Sequence, residues 1–124
     1  MSLLLDTHVI LWWLTDDPTL ADDVKNLIDV QADVHYSAAS VWEIAIKQRL
    51  GKLTGPDDLV TVLHRSGLGE VVIRSDHAAE AGRLPLHHRD PFDRMLVAQA
   101  RVEGHTLLTR DPEVQRYDVR IHPV

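Results

Sequence analysis

Five short apolar runs, Leu3–Leu5, Val34–Tyr36, Gly69–Ile73, Thr106–Leu108 and Val119–Ile121, recur along the chain with helix-length segments between them. Leu3–Leu5 ends abruptly at Asp6, the pattern of a buried parallel strand whose C-terminal end opens to solvent. The intervening segments carry the helical period. Leu20–Val30 puts Leu20, Val24, Leu27 and Ile28 on one face and leaves Asp22, Asp23 and Lys25 toward water. Val9–Leu14 makes a helical turn or two before the Asp17-Pro18 turn, and Ala38–Leu50 makes a helix that stops at Gly51. Gly55-Pro56-Asp57-Asp58 opens a further helix ending near Ser66-Gly67, Asp76–Leu84 is closed by Pro85, and Phe92–Val102 is the last. Strands alternating with helices predict a three-layer α/β/α sandwich around a mainly parallel, about five-stranded sheet, as one domain over residues 1–124.

A chain of 124 residues with 44% hydrophobic content can bury a core of ordinary size. It has no cysteine, which excludes a disulfide framework, a thiolate metal site and a cysteine nucleophile, and fits a reducing cytoplasm. The opening MSLLLDTHVILWWL is apolar but has no basic leader, carries Asp6 and His8 inside the run and is too short to span a bilayer, so it reads as core and no membrane association is expected. A net charge of −6 argues against a nucleic-acid binder at first sight. Residues 1–74 hold 6 Lys+Arg against 11 Asp+Glu, however, while residues 75–124 hold 7 against 8, all seven of them arginine. Carboxylates that converge on divalent cations also lose their meaning as net negative charge. Acidity alone therefore excludes nothing.

In a parallel α/β sheet, ligands bind beyond the C-terminal ends of the strands. Asp6 follows the first strand, Asp111 follows the fourth, and Asp90 and Asp93 flank Pro91 at a helix start. Glu43 is the only acid in AASVWEIAIKQRL, and its i−4 and i−3 neighbours, Ala39 and Ser40, are small enough for its carboxylate to reach past them. Each has an ordinary use as well: Asp6, Asp90 and Asp111 as helix caps, Glu43 as an exposed face residue. Four carboxylates at one sheet edge would repel unless protonated or bridged by cations, and all-oxygen ligation suits Mg²⁺ or Mn²⁺. The eight histidines show no paired spacing for zinc, and His87-His88 falls in a loop. There is no glycine-rich phosphate loop and no triad spacing. A receiver domain would need a lysine after the last strand, but lysine occurs only at 25, 47 and 52; a haloacid-dehalogenase-like phosphatase would need aspartate where His8 stands.

LLLDTHVILWWL, SAASVWEIAIK, DPFDRMLVAQA and TLLTRDPEV together, in that order and across essentially the whole chain, resemble a PIN domain, and within that family a VapC-type toxin of a bacterial toxin–antitoxin pair. The resemblance implies a metal-dependent endoribonuclease acting on structured RNA such as tRNA or rRNA, silenced by a cognate VapB-like antitoxin, and a homodimer. It implies an acidic quartet of Asp6, Glu43, Asp93 and Asp111 holding one or two Mg²⁺ (or Mn²⁺) ions, with Thr7 and Thr109 beside it as supporting groups. Asp90 is an extra acid, expected to cap the helix while Asp93, one turn in, leans back toward the strand ends. Arg89, Arg94 and Arg110 adjoin these positions and are expected to contact RNA phosphates. Trp12 and Trp13 are expected to leave an exposed patch for the antitoxin tail. A catalytically silent PIN-like RNA-binding or interaction module is the alternative.

Overall fold

A computed structural model describes residues 1–124. Five parallel strands, β1 (Leu3–Leu5), β2 (Val34–Ser37), β3 (Gly69–Val71), β4 (Thr106–Thr109) and β5 (Ile121–Pro123), form one sheet in the order β3-β2-β1-β4-β5. Six helices cover it: α1 (Thr7–Leu14), α2 (Asp22–Val30), α3 (Ala38–Arg49), α4 (Leu59–Arg65), α5 (Ser75–Arg83) and α6 (Pro91–Glu103). The predicted α/β/α sandwich is thus the observed architecture.

The period of two along each strand sorts the core into two layers. Leu3, Leu5, Val34, Tyr36 and Leu108 pack with α1, α2 and α4 on one face. Leu4, Val71 and Leu107 pack with Leu96, Val97 and Ala100 of α6, together with Leu84 and Tyr117, on the other. β1 is completely buried on both faces, which is why its sequence is an unbroken apolar run. The chain turns to opposite sides of β1, through β2 one way and β4 the other, so the switch point of the sheet lies where β1 and β4 end.

Several boundaries differ from the pattern-based ones for identifiable reasons. α1 begins at Thr7, two residues before Val9, because Asp6 already has the extended backbone of an N-cap. α2 begins at Asp22 rather than Leu20; Leu20 is buried but lies before the helix. Lys25 does not face open water, since its ammonium folds onto Asp16 at 2.8 Å with most of the side chain covered. Gly55-Pro56 is irregular and Asp57-Asp58 forms a turn, and α4 starts only at Leu59, because Asp58 leaves the helical region at φ −102°, ψ 43° and its side chain caps nothing. β3 stops at Val71, paired with Ser37; beyond it β2 has become α3, so Val72 and Ile73 have no neighbour to pair with and stay exposed. The last strand covers Ile121–Pro123 instead of Val119–Ile121. Tyr117 is tied by its hydroxyl to the Pro85 carbonyl at 2.7 Å and to the backbone N–H of His88 at 3.0 Å, which holds the chain off the ladder until Leu107 meets Ile121. Pro123 is tolerated there because β5 is an edge.

No helix is long and apolar enough to cross a membrane. α6 opens on an Asp90 cap, whose Oδ1 accepts from the N–H groups of Phe92 (2.8 Å) and Asp93 (3.1 Å), with Pro91 at the first position; it closes on Gly104, whose φ of 77° favours glycine. Asp90→Ala should lower stability by about 1 kcal/mol in urea titration, whereas Asp90→Asn, which caps nearly as well, should stay within a few tenths of wild type. A larger loss in Asn than in Ala would contradict the capping role.

Candidate functional site

The ends of β1 and β4 release Asp6 and Asp111 to the same side, while α3 brings Glu43 and the start of α6 brings Asp90 and Asp93 to meet them. All five carboxylates line one cavity of about 500 Å³, together with His8, Trp12, Lys47, His88 and Arg110. Two larger cavities, of about 740 and 600 Å³, flank α1 and contain no such convergence.

Asp6 is buried, makes no side-chain cap bond to α1 and turns its Oδ2 to the Thr109 hydroxyl, which donates at 2.5 Å. Thr109 Oγ1 in turn accepts from the backbone N–H of Asp111 at 3.1 Å, so one buried hydroxyl fixes both strand-end acids. Burial pushes the Asp6 pKa up, against the opposing pull of Thr109 and His8, and the nearby Glu43 charge adds to the rise.

Glu43 is buried, not exposed as its isolated reading allowed. Ala39 and Ser40, buried beneath it, give its carboxylate the passage that their size suggested. The α3 start that sets this direction is fixed by Ser37, whose hydroxyl accepts from Ala39 N–H at 3.0 Å. Thr7 donates to Glu43 Oε1 at 2.6 Å and also meets Ser40 at 2.9 Å.

Asp93 is perturbed as well. Burial first, then the charges of Asp6, Asp90 and Glu43, push its pKa up to about 7, against the opposing pull of His88. His88 Nε2 lies 2.9 Å from Asp93 Oδ2 and 3.0 Å from Asp111 Oδ2, and these three groups are close enough to share an ion. Burial works against the protonated imidazole, but its hydrogen bond to Asp111 and the charges of Asp93, Asp111 and Asp90 outweigh that and raise its pKa. Asp111 Oδ1 accepts from Glu113 N–H at 2.8 Å, so its other oxygen faces the cavity.

Three arginines adjoining the acids have three different occupations. Arg89 is exposed and lies outside the cavity lining. Arg110 lines it, with its guanidinium 4.7 Å from the Trp12 ring centroid and donors committed to the carbonyls of Val124 (2.8 Å) and Thr19 (2.9 Å). Arg94 corrects the expectation of a phosphate contact: it donates to the carbonyls of Ala81, Leu84, Pro85 and His88 and to the Tyr117 hydroxyl at 2.7–3.3 Å. Its fork is spent on holding the 84–90 loop, because a helix turns about 100° per residue and carries Arg94 away from the side that Asp93 faces.

Trp12 and Trp13 are half-buried against the core, Trp13 donating to Asp29 at 3.0 Å, and do not form a broad exposed patch. The exposed aromatic is Trp42, 63% accessible, edge-on to Phe92 at 5.3 Å. Lys47 and His88 are the site residues that sequence reasoning missed. Lys47 stands at i+4 from Glu43 and donates to its Oε2 at 2.6 Å, a spacing visible in the sequence; His88 reaches the site from a loop and left no such signal.

An α/β fold with its acids gathered at the switch point defines an α/β protein with a polyanionic pocket rather than a dinucleotide or phosphate-loop protein. The PIN domain family model matches residues 3–120, and the chain belongs to the PIN domain family. PIN domains are generally nucleases. Solved structures share the fold over almost their whole length: a chain of VapBC2 from Rickettsia felis bound to a promoter DNA fragment (17% identity, TM-score 0.76, 100% of this chain and 99% of that one) and a chain of DNA-bound VapBC from Salmonella typhimurium (17%, 0.74, 99% and 98%). VapBC-5 from Mycobacterium tuberculosis, a member of the VapBC family of toxin-antitoxin systems, aligns at 18% identity and TM-score 0.62 over 100% of both chains. No curated protein sequence matches the chain.

Because Asp93 titrates at about 7 in the folded chain and at 3.8 in an ordinary setting, its contribution is fully favourable below pH 4 and is lost as pH rises through 7. In EDTA, Asp93→Asn should therefore be more stable than wild type by about 2 kcal/mol at pH 8, with the difference gone at pH 4. Equal stability at both pH values, measured by thermal denaturation, would show that Asp93 is not held under this repulsion.

Proposed function

We propose that the chain is a divalent-metal-dependent endoribonuclease of VapC type, a cytoplasmic toxin that hydrolyses phosphodiester bonds in structured RNA such as tRNA or rRNA and is silenced by a cognate VapB-like antitoxin. The observation that carries this is the convergence of Asp6, Glu43, Asp93 and Asp111 on one cavity, with burial and mutual repulsion lifting the pKa of Asp93 to about 7 and raising that of Asp6. The donor set fits Mg²⁺ or Mn²⁺: every candidate ligand among the acids is a carboxylate oxygen and none is a thiolate. These four side chains would form the ion's site, with Asp6, Asp93 and Asp111 as its direct holders and Glu43 beside them; when bound, the ion would supply Lewis acidity toward the phosphate and charge neutralisation for the displacement.

The chain's own residues do the rest. Thr109 and Thr7 orient the Asp6 and Glu43 carboxylates, and Asp90, committed to its cap, holds the first turn of α6 so that Asp93 faces inward. His88 Nε2 lies between Asp93 and Asp111, within hydrogen-bond distance of both. Arg110 and Lys47, both lining the cavity, and the free Arg89 set positive charge where RNA phosphates approach. The antitoxin is assigned to the groove beside α1, where Trp12 and Trp13 each line a cavity edged by Asp16; the toxin–antitoxin character of VapBC-5 supports such a partner. We assign the working form as a homodimer.

RNA cleavage should require Mg²⁺ or Mn²⁺ and fall more than about 100-fold in Asp6→Asn and in Asp93→Asn, while Asp90→Asn keeps most of it. Undiminished cleavage after exhaustive EDTA treatment contradicts the proposal, and RNA binding without metal-dependent cleavage would mark a silent binding module instead.

A further inference from the structure

Both oxygens of Glu43 are occupied by side chains of the protein itself. Oε1 accepts from the Thr7 hydroxyl and Oε2 from Lys47 Nζ, each at 2.6 Å. Glu43 is 3% exposed, whereas the Lys47 side chain is 32% exposed, so the ammonium closes the Glu43 side of the cavity from its mouth. The pair is one turn apart on α3, which fixes their separation without help from any loop. Lys47 is the only lysine lining the cavity.

Elsewhere in the cavity the acids are less committed. Asp6 gives Oδ2 to Thr109 and accepts no other side-chain hydrogen bond, and Asp93 Oδ1 has no hydrogen-bond donor. The bridging partner of Asp93 and Asp111 is His88, which a loop carries and whose imidazole is a weaker, exchangeable positive charge. The cavity is therefore unequal. One side holds a lysine ammonium on a rigid helix; the other presents one open oxygen each on Asp6 and Asp93, beside an Asp111 whose oxygens meet Glu113 N–H and His88.

We propose that Lys47 is a built-in counter-cation, filling the Glu43 side of the pocket so that the chain takes a single divalent ion at Asp6, Asp93 and Asp111 and uses the ammonium in place of a second. The inference rests on the reading of the pocket as a metal site. A lysine suits this place because its charge is a compact point on a flexible stem that still reaches an incoming phosphate oxygen. A second ion bound at Glu43 would have to displace Nζ from its 2.6 Å contact.

Calorimetric titration of Mn²⁺ into the ion-free full chain, without RNA, tests it. Wild type and Lys47→Arg should bind one ion per chain, and Lys47→Met should bind two; Lys47→Gln makes the same comparison should the Met variant fail to fold. Two ions in wild type, or one ion of unchanged affinity in the charge-free variants, would overturn the role of Lys47 while leaving the metal site standing. Absence of Mn²⁺ binding in every form would overturn the metal-site reading and this inference with it.

Discussion

Carboxylates that a parallel sheet gathers at one edge repel one another, and the architecture of this chain is organised around containing that repulsion. Asp6 and Asp111 follow β1 and β4, Glu43 sits on α3 and Asp93 on α6, so the acids meet only through the fold, and Lys47 is the one local partner among them, one turn from Glu43. Two hydroxyls, Thr109 and Thr7, donate to the most deeply buried pair. Lys47 adds its ammonium to Glu43, and His88 lies between Asp93 and Asp111. The residual strain is visible in Asp93, whose pKa of about 7 means that the pocket holds a proton where a free carboxylate would have none near neutrality. A pocket in this condition gains from any cation that enters it.

The supports lie outside the pocket and are mostly backbone-directed. Arg94 and Tyr117 share the carbonyls of Pro85 and His88 and so set the path of the loop that delivers His88. Arg110 ties the α1–α2 connection to Val124 while stacking on Trp12. A guanidinium with several carbonyl partners in a fixed fork is better suited to this than an ammonium, which accounts for arginine at both positions. The same commitments leave the exposed Arg89 as the freer positive group.

Much of the fold was legible because its determinants are local. Leu3–Leu5 followed by Asp6, the Asp90-Pro91 cap and Gly51 after α3 each state a boundary in a few residues. The inward turn of Glu43 could be read from the size of Ala39 and Ser40. Where the outcome depended on contacts distant in sequence, the pattern failed. The register of β5 is set by Tyr117 reaching back to Pro85, and β3 is cut short by the departure of β2 into α3. Helix geometry turns Arg94 away from Asp93, but the carbonyls it meets were not legible, and the meaning of Lys47 required knowing that Glu43 points inward. Trp12 and Trp13 show the same limit: an apolar helix one residue too rich for a single face was accommodated by half-burial, while Trp42 took the exposed position.

The central claim is that unbalanced carboxylate charge makes this pocket a divalent-cation site. A cation that binds the folded chain and not the unfolded one raises the melting temperature with its concentration. Tm should therefore climb steadily as Mn²⁺ is added to the ion-free wild-type chain at pH 7.5, and the climb should be lost in an Asp6→Asn, Asp93→Asn double variant. A Tm that is indifferent to Mn²⁺ in the wild type, or that rises equally in the double variant, would contradict it.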